Sequence, residues 1–101
     1  MNETSLKAID FADAAESLVD SAERLASVLL EKLGGQEKVT ISLVGLRGVS
    51  SSYFNVVLSE VVSVYGIDAI GDRIEFLFDS YAQELVLGRS MASIRQQHVA
   101  A

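Results

Sequence analysis

The run Lys38–Gly66, KVTISLVGLRGVSSSYFNVVLSEVVSVYG, constrains this 101-residue chain more than any other stretch. Val39, Ile41 and Leu43 alternate with Thr40 and Ser42, the period-two pattern of a strand with one face on a core. Val44 breaks the alternation and suggests a strand end buried on both sides. Gly45-Leu46-Arg47-Gly48 follows, with two glycines that permit the positive φ a sharp reversal needs. Ser50, Ser51 and Ser52 come next, each able to cap a helix by accepting its free amide protons. Phe54, Val57, Leu58, Val61, Val62 and Tyr65 then recur at steps of three and four, with Asn55, Ser59, Glu60 and Ser63 on the other side. Valine is a weak helix former, but the doublets Val57-Leu58 and Val61-Val62 do not fit a period of two. The segment reads as a helix held by packing rather than by propensity.

The flanks supply supporting elements. Leu6–Phe11 reads as a short edge strand, with the first turns of a helix as the alternative. Asp13-x-x-Glu16 has the form of a capping box and starts a helix near Asp13. The core face of that helix runs Ala15, Leu18, Ala22, Leu25, Leu29, Leu33, and Gly34-Gly35 ends it. Beyond Gly66, Ile67–Asp72 reads as a linker. Ile74, Phe76 and Phe78 alternate with Arg73, Glu75 and Leu77 as a further strand. Asp79-Ser80 caps the last helix, with Gln83 completing a second capping box. Tyr81, Leu85 and Ala92 form one stripe of that helix and are expected to face the core. Leu87, Met91 and Ile94 lie on nearly the opposite side, an apolar set that suggests a partner or an oligomer face. Gly88 weakens the middle of the helix, and 96–101 is expected to fray.

Strand, helix, strand, helix predicts one α/β domain over residues 1–101, with 1–12 as an N-terminal arm or edge strand. The expected sheet is short, mixed or parallel, with about three to four strands packed by about three helices. A helical crossover between the two main strands would end both on one edge of the sheet. Arg47 and Ser50–Ser52 would then approach Asp79 and Ser80, at the edge where open α/β sheets usually carry their sites.

Composition narrows the chemistry. With no cysteine there is no disulfide, thiolate site or Cys nucleophile. Half the residues are hydrophobic and none is proline, which suits a compact domain. No run approaches the roughly 20 apolar residues of a membrane span, so a cytoplasmic protein is the expectation. The net charge of −6 argues against nucleic acid as a partner. Six acids (Glu3, Asp10, Asp13, Glu16, Asp20, Glu23) stand against the single base Lys7 through residue 23, a solvated acidic surface. The lone histidine, His98, lies in the tail away from any nucleophile, and no metal-ligand cluster or cofactor motif occurs. Gly45-x-x-Gly48 lacks the Lys-Ser/Thr of a phosphate loop.

What remains is the serine turn. In one account a serine caps the helix and the others satisfy the turn. In the other an exposed serine accepts a phosphoryl group, adding roughly −1.5 to −2 charges where a helix dipole tolerates them. An unswitched structural subunit and an anion or nucleotide binder are further alternatives.

The run VTISLVGLRGVSSSYFNVVLSEVV resembles the STAS superfamily, the domain of bacterial anti-sigma-factor antagonists. It looks closest to the STAS-like, DUF4325-type branch, with its hydrophobic strand (Val39–Val44), Gly-x-x-Gly turn (Gly45, Gly48), Ser-Ser-aromatic element (Ser51-Ser52-Tyr53) and helix. The similarity extends loosely from Asp20 to Arg95. It implies a small α/β sandwich that is not an enzyme and docks on a protein partner, in some members a histidine-kinase-like ATPase that phosphorylates a serine at the start of the central helix. Those members carry Asp-Ser there, and this chain has Ser50-Ser51. The resemblance thus makes Ser51 the first candidate acceptor, then Ser52 and Ser50. The expected partner surface comprises Arg47, Gly48, Tyr53, Asn55, Asp79 and Ser80.

Overall fold

The computed structural model describes residues 3–12, 17–35 and 37–99, with side chains described through Gln97. In chain order the elements are β1 (Glu3–Lys7), a 3-10 turn (Ala8–Phe11), α1 (Leu18–Gly34), β2 (Lys38–Ser42), α2 (Ser51–Tyr65), α3 (Asp68–Arg73), β3 (Ile74–Leu77) and α4 (Tyr81–Val99). The described residues form one three-stranded sheet in the order β1-β2-β3, parallel throughout. Glu3 registers with Lys38, and Val39 with Ile74. This is the expected small α/β domain. No helix among the described residues is long and apolar enough to cross a membrane.

The sheet is two-faced. Thr4, Leu6, Val39, Ile41, Ile74 and Phe76 point one way and are buried or half-buried. Glu3, Ser5, Lys7, Lys38, Glu75 and Leu77 point the other way and are exposed. All-parallel sheets usually bury both faces. Here the helices cover one, and alternation in β2 already carried that asymmetry. The core lies under α1 and α2, with Leu25, Leu29 and Leu33 meeting Val39, Ile41, Phe54, Val57, Leu58 and Val61. An aromatic line joins the layers. Phe54 meets Tyr53 edge-on at 5.6 Å and Phe76 edge-on at 6.0 Å.

Several boundaries move. The first strand is Glu3–Lys7, and Ala8–Phe11 is a 3-10 turn, so the Leu6–Phe11 strand is realised only at its start. α1 begins at Leu18 with Ser17 as its cap, the Ser17 hydroxyl accepting from the Asp20 amide at 3.2 Å. The Asp13–Glu16 capping box lies outside the described residues. β2 stops at Ser42, and Val44 is exposed in the turn rather than buried on both sides, because the chain reverses at Gly45. The expected linker is helix α3, which buries Ala69 and Ile70. α4 continues to Val99.

The largest correction concerns which face of α4 is inside. Tyr81 is 71% exposed and Leu85 44%, while Leu87 is 6% and Ile94 3% exposed, with Met91 half-buried beside them. Leu87, Met91 and Ile94 are therefore core residues and not an oligomer face. The buried row is Gln83, Leu87, Ser90 and Ile94, steps of four, three and four that include two polar side chains. Those polar residues hide the inward face from any reading by hydropathy.

Candidate functional site

At the C-terminal edge of the sheet, β2 passes into α2 through Leu43–Ser50. The two glycines act as expected, Gly45 with φ +84° and Gly48 with φ +69°. A side chain at either would be strained in the left-handed region. The turn is tied to the neighbouring strand and helix. The Leu43 amide donates to the Leu77 carbonyl at 2.8 Å, extending the β2–β3 pairing. The Gly45 amide donates to Asp79 Oδ2 at 2.9 Å.

Gln83 is the pin of this region. Its Nε2 donates to the carbonyls of Leu43 and Leu46, each at 3.0 Å, and its Oε1 accepts from the Asp79 amide at 3.0 Å. Its own amide donates to the Ser80 hydroxyl at 3.3 Å. The expected capping box is thus half realised, since the side chain reaches Asp79 and the β2–α2 turn instead of the Ser80 amide. The box pattern located Gln83, but its burial and its cross-chain bonds carry no local signal.

Between the turn and the start of α4 opens a cleft of about 420 Å³, lined by Leu46–Val49, Asp79, Ser80, Ala82 and Gln83. Arg47, Gly48, Asp79 and Ser80 are all exposed around it, so the structure brings together four of the six expected partner residues. Neither of the other two lines the cleft: Tyr53 is buried, while Asn55 is exposed further along α2. Tyr53 is 1% exposed, so its ring is part of the core and not a surface anchor. Asn55 Oδ1 accepts a hydrogen bond from the Ser90 hydroxyl and joins α2 to α4. The exposed aromatic beside the cleft is Tyr81, which the sequence pattern assigns to the core.

The serine cluster sits just beyond the cleft, at the start of α2. Ser50, Ser51 and Ser52 are exposed. Ser50 is the N-cap residue in extended conformation, and its hydroxyl makes no capping hydrogen bond. None of the three lines the cleft. One unusual group lies next to them. The Tyr53 hydroxyl is buried with no hydrogen-bond partner, and burial pushes its pKa up to about 12.

Among the described residues there is no group of three or more histidine or acidic side chains placed to hold a metal ion. The side chain of His98 lies outside the described residues. The region offers exposed hydroxyls, backbone amides at a helix N-terminus, a cation and an open cleft.

No family model, no curated protein and no solved structure matches the chain.

Proposed function

We propose that this chain is a non-enzymatic regulatory docking domain of the STAS-like, anti-sigma-antagonist type. It binds a protein partner through the Leu46–Val49 turn and the start of α4, under control of phosphorylation in the serine cluster. The observation that carries the reading is the start of α2, where three exposed serines stand and the Ser50 hydroxyl makes no capping bond, the Ser50 carbonyl alone accepting from the Tyr53 amide. A helix N-terminus favours added negative charge, so a phosphoryl group there leaves the fold intact while changing the surface a partner meets. Ser51 is the leading acceptor, on the resemblance, followed by Ser52 and Ser50. Arg47, Gly48, Asp79 and Ser80 form the contact surface, with Tyr81 in place of Tyr53 as the aromatic anchor.

The test incubates the chain with candidate histidine-kinase-like serine kinases and ATP, and uses mass spectrometry to place the phosphate. Phosphate on residues 50–52, together with loss of partner capture in Ser51→Glu but not Ser51→Ala, is the expected result. Undiminished capture by the phosphorylated protein removes the switch. Undiminished capture by Arg47→Glu combined with Tyr81→Ala removes the surface.

A further inference from the structure

The sheet ends on one side at β1, whose outer edge has no neighbouring strand among the described residues. Such an edge presents free amides and carbonyls to any strand that can match it. Glu3, Ser5 and Lys7 all lie exposed on the uncovered face, while Thr4 and Leu6 are half-buried on the helix side. Thr4 is held by a hydrogen bond from its hydroxyl to Glu37 Oε1. The strand therefore carries an acid at one end, a base at the other and a small polar residue between them, on one face.

We infer that the β1 edge pairs antiparallel with β1 of a second copy, about a two-fold axis at Ser5, to make a continuous six-stranded sheet. In that register Glu3 lies opposite Lys7 of the second copy, Lys7 opposite Glu3, Thr4 opposite Leu6, and Ser5 opposite itself. Opposite charges facing across a strand pair stabilise it and like charges destabilise it. Parallel pairing would set Glu3 on Glu3 and Lys7 on Lys7. A slip of two residues either way would set one of the charges opposite Ser5 and leave both Glu3 and Lys7 without an oppositely charged counterpart. The charges thus select one orientation and one register. They also fit the existing sheet, because Glu3 registers with Lys38 on β2 and would lie between two lysines in the pair.

The opposite edge does not match itself in this way. About Phe76, β3 would place Glu75 against Leu77. Its flanking charges are already engaged: the Arg73 guanidinium donates to the carbonyls of Leu33 and Glu37 and sits over the Tyr65 ring, and Asp79 accepts from Gly45. Pairing at β1 is independent of the serine turn, which lies between β2 and α2, so failure of either idea leaves the other standing.

Charge reversal tests it. Sedimentation of the full chain at physiological salt should show a concentration-dependent dimer. Glu3→Lys and Lys7→Glu should each weaken that dimer about tenfold or more, since each creates two like-charge pairs. The double variant should recover the wild-type association. Because the chain has no cysteine, Ser5→Cys reports the axis directly. Antiparallel neighbours bring Cα atoms to about 4.5–5.5 Å, within disulfide reach, so this variant should cross-link on oxidation far faster than a Ser59→Cys control. A monomer at every concentration, a double variant no better than the single ones, or equal cross-linking at Ser5 and Ser59 each overturns the inference.

Discussion

Two helices begin side by side at the C-terminal edge of this sheet, and they begin differently. α4 starts on a saturated network: Ser80 caps the Gln83 amide, and Gln83 binds Asp79 and the two carbonyls of the neighbouring turn. α2 starts with no side-chain cap, although three serines stand at the position where such caps form. Residue type does not explain the contrast, since serine is among the best N-caps. One start is fastened to the fold by its polar groups. The other holds them in reserve, which is why the functional reading rests on α2 and not on α4.

The sharpest way to break that comparison is at Gln83. Gln83→Leu keeps the volume but orphans the Leu46 carbonyl and the Asp79 amide, and leaves the Leu43 carbonyl with the Leu46 amide alone. The expected loss is about 3 kcal/mol, seen as a lower urea midpoint with unchanged slope. A loss under about 1 kcal/mol would mean that water replaces those bonds and that the α4 start is no more fixed than the other. A smaller contrast follows at the caps. Ser80→Ala should cost about 1 kcal/mol, whereas Ser50→Ala should change stability by less than about 0.3 kcal/mol. Equal costs at the two sites would assign Ser50 a structural role and remove the basis for the α2 reading.

The same contrast marks what local pattern could and could not reveal. The strand β2, the turn at Gly45 and Gly48, and helix α2 were legible because alternation, paired glycines and helical spacing coincide there with real burial. In α4 the hydropathy pattern points the wrong way. Its exposed row, Tyr81, Leu85, Gly88 and Ala92, looks as apolar as its buried row, in which Gln83 and Ser90 are polar. Those two are buried because partners on other elements receive them, the β2–α2 turn for Gln83 and Asn55 of α2 for Ser90. Hydropathy measures the residue, whereas the partners sit about 35 to 40 positions away. α3 escapes the sequence pattern for a related reason: Gly71 reads as a linker residue, and only the packing of Ala69 and Ile70 makes the turn helical. Tyr53 has the residue type common in interface anchors, yet its position in the first turn of α2 points it into the core.

Tyr53 also gives the finest test of the two helix starts. Each helix buries one polar side chain in its first turns, Gln83 with its bonds made and Tyr53 with none. Removing a satisfied group exposes its partners, but removing an orphaned hydroxyl relieves a desolvation cost already incurred. Tyr53→Phe should therefore leave stability unchanged or raise it by up to about 1 kcal/mol, the opposite sign to Gln83→Leu. The pH dependence should follow the same logic. Burial raises the phenol from its ordinary 10.0 to about 12, so the folded state holds the proton more tightly than the unfolded chain. Its contribution is complete below pH 10 and is lost as pH rises through about 12. Wild-type stability should fall across that window by more than that of Tyr53→Phe, measured as urea midpoints at successive pH values. If the two proteins decline in parallel, the hydroxyl is solvated in solution rather than buried, and the contrast between the two helix starts is lost.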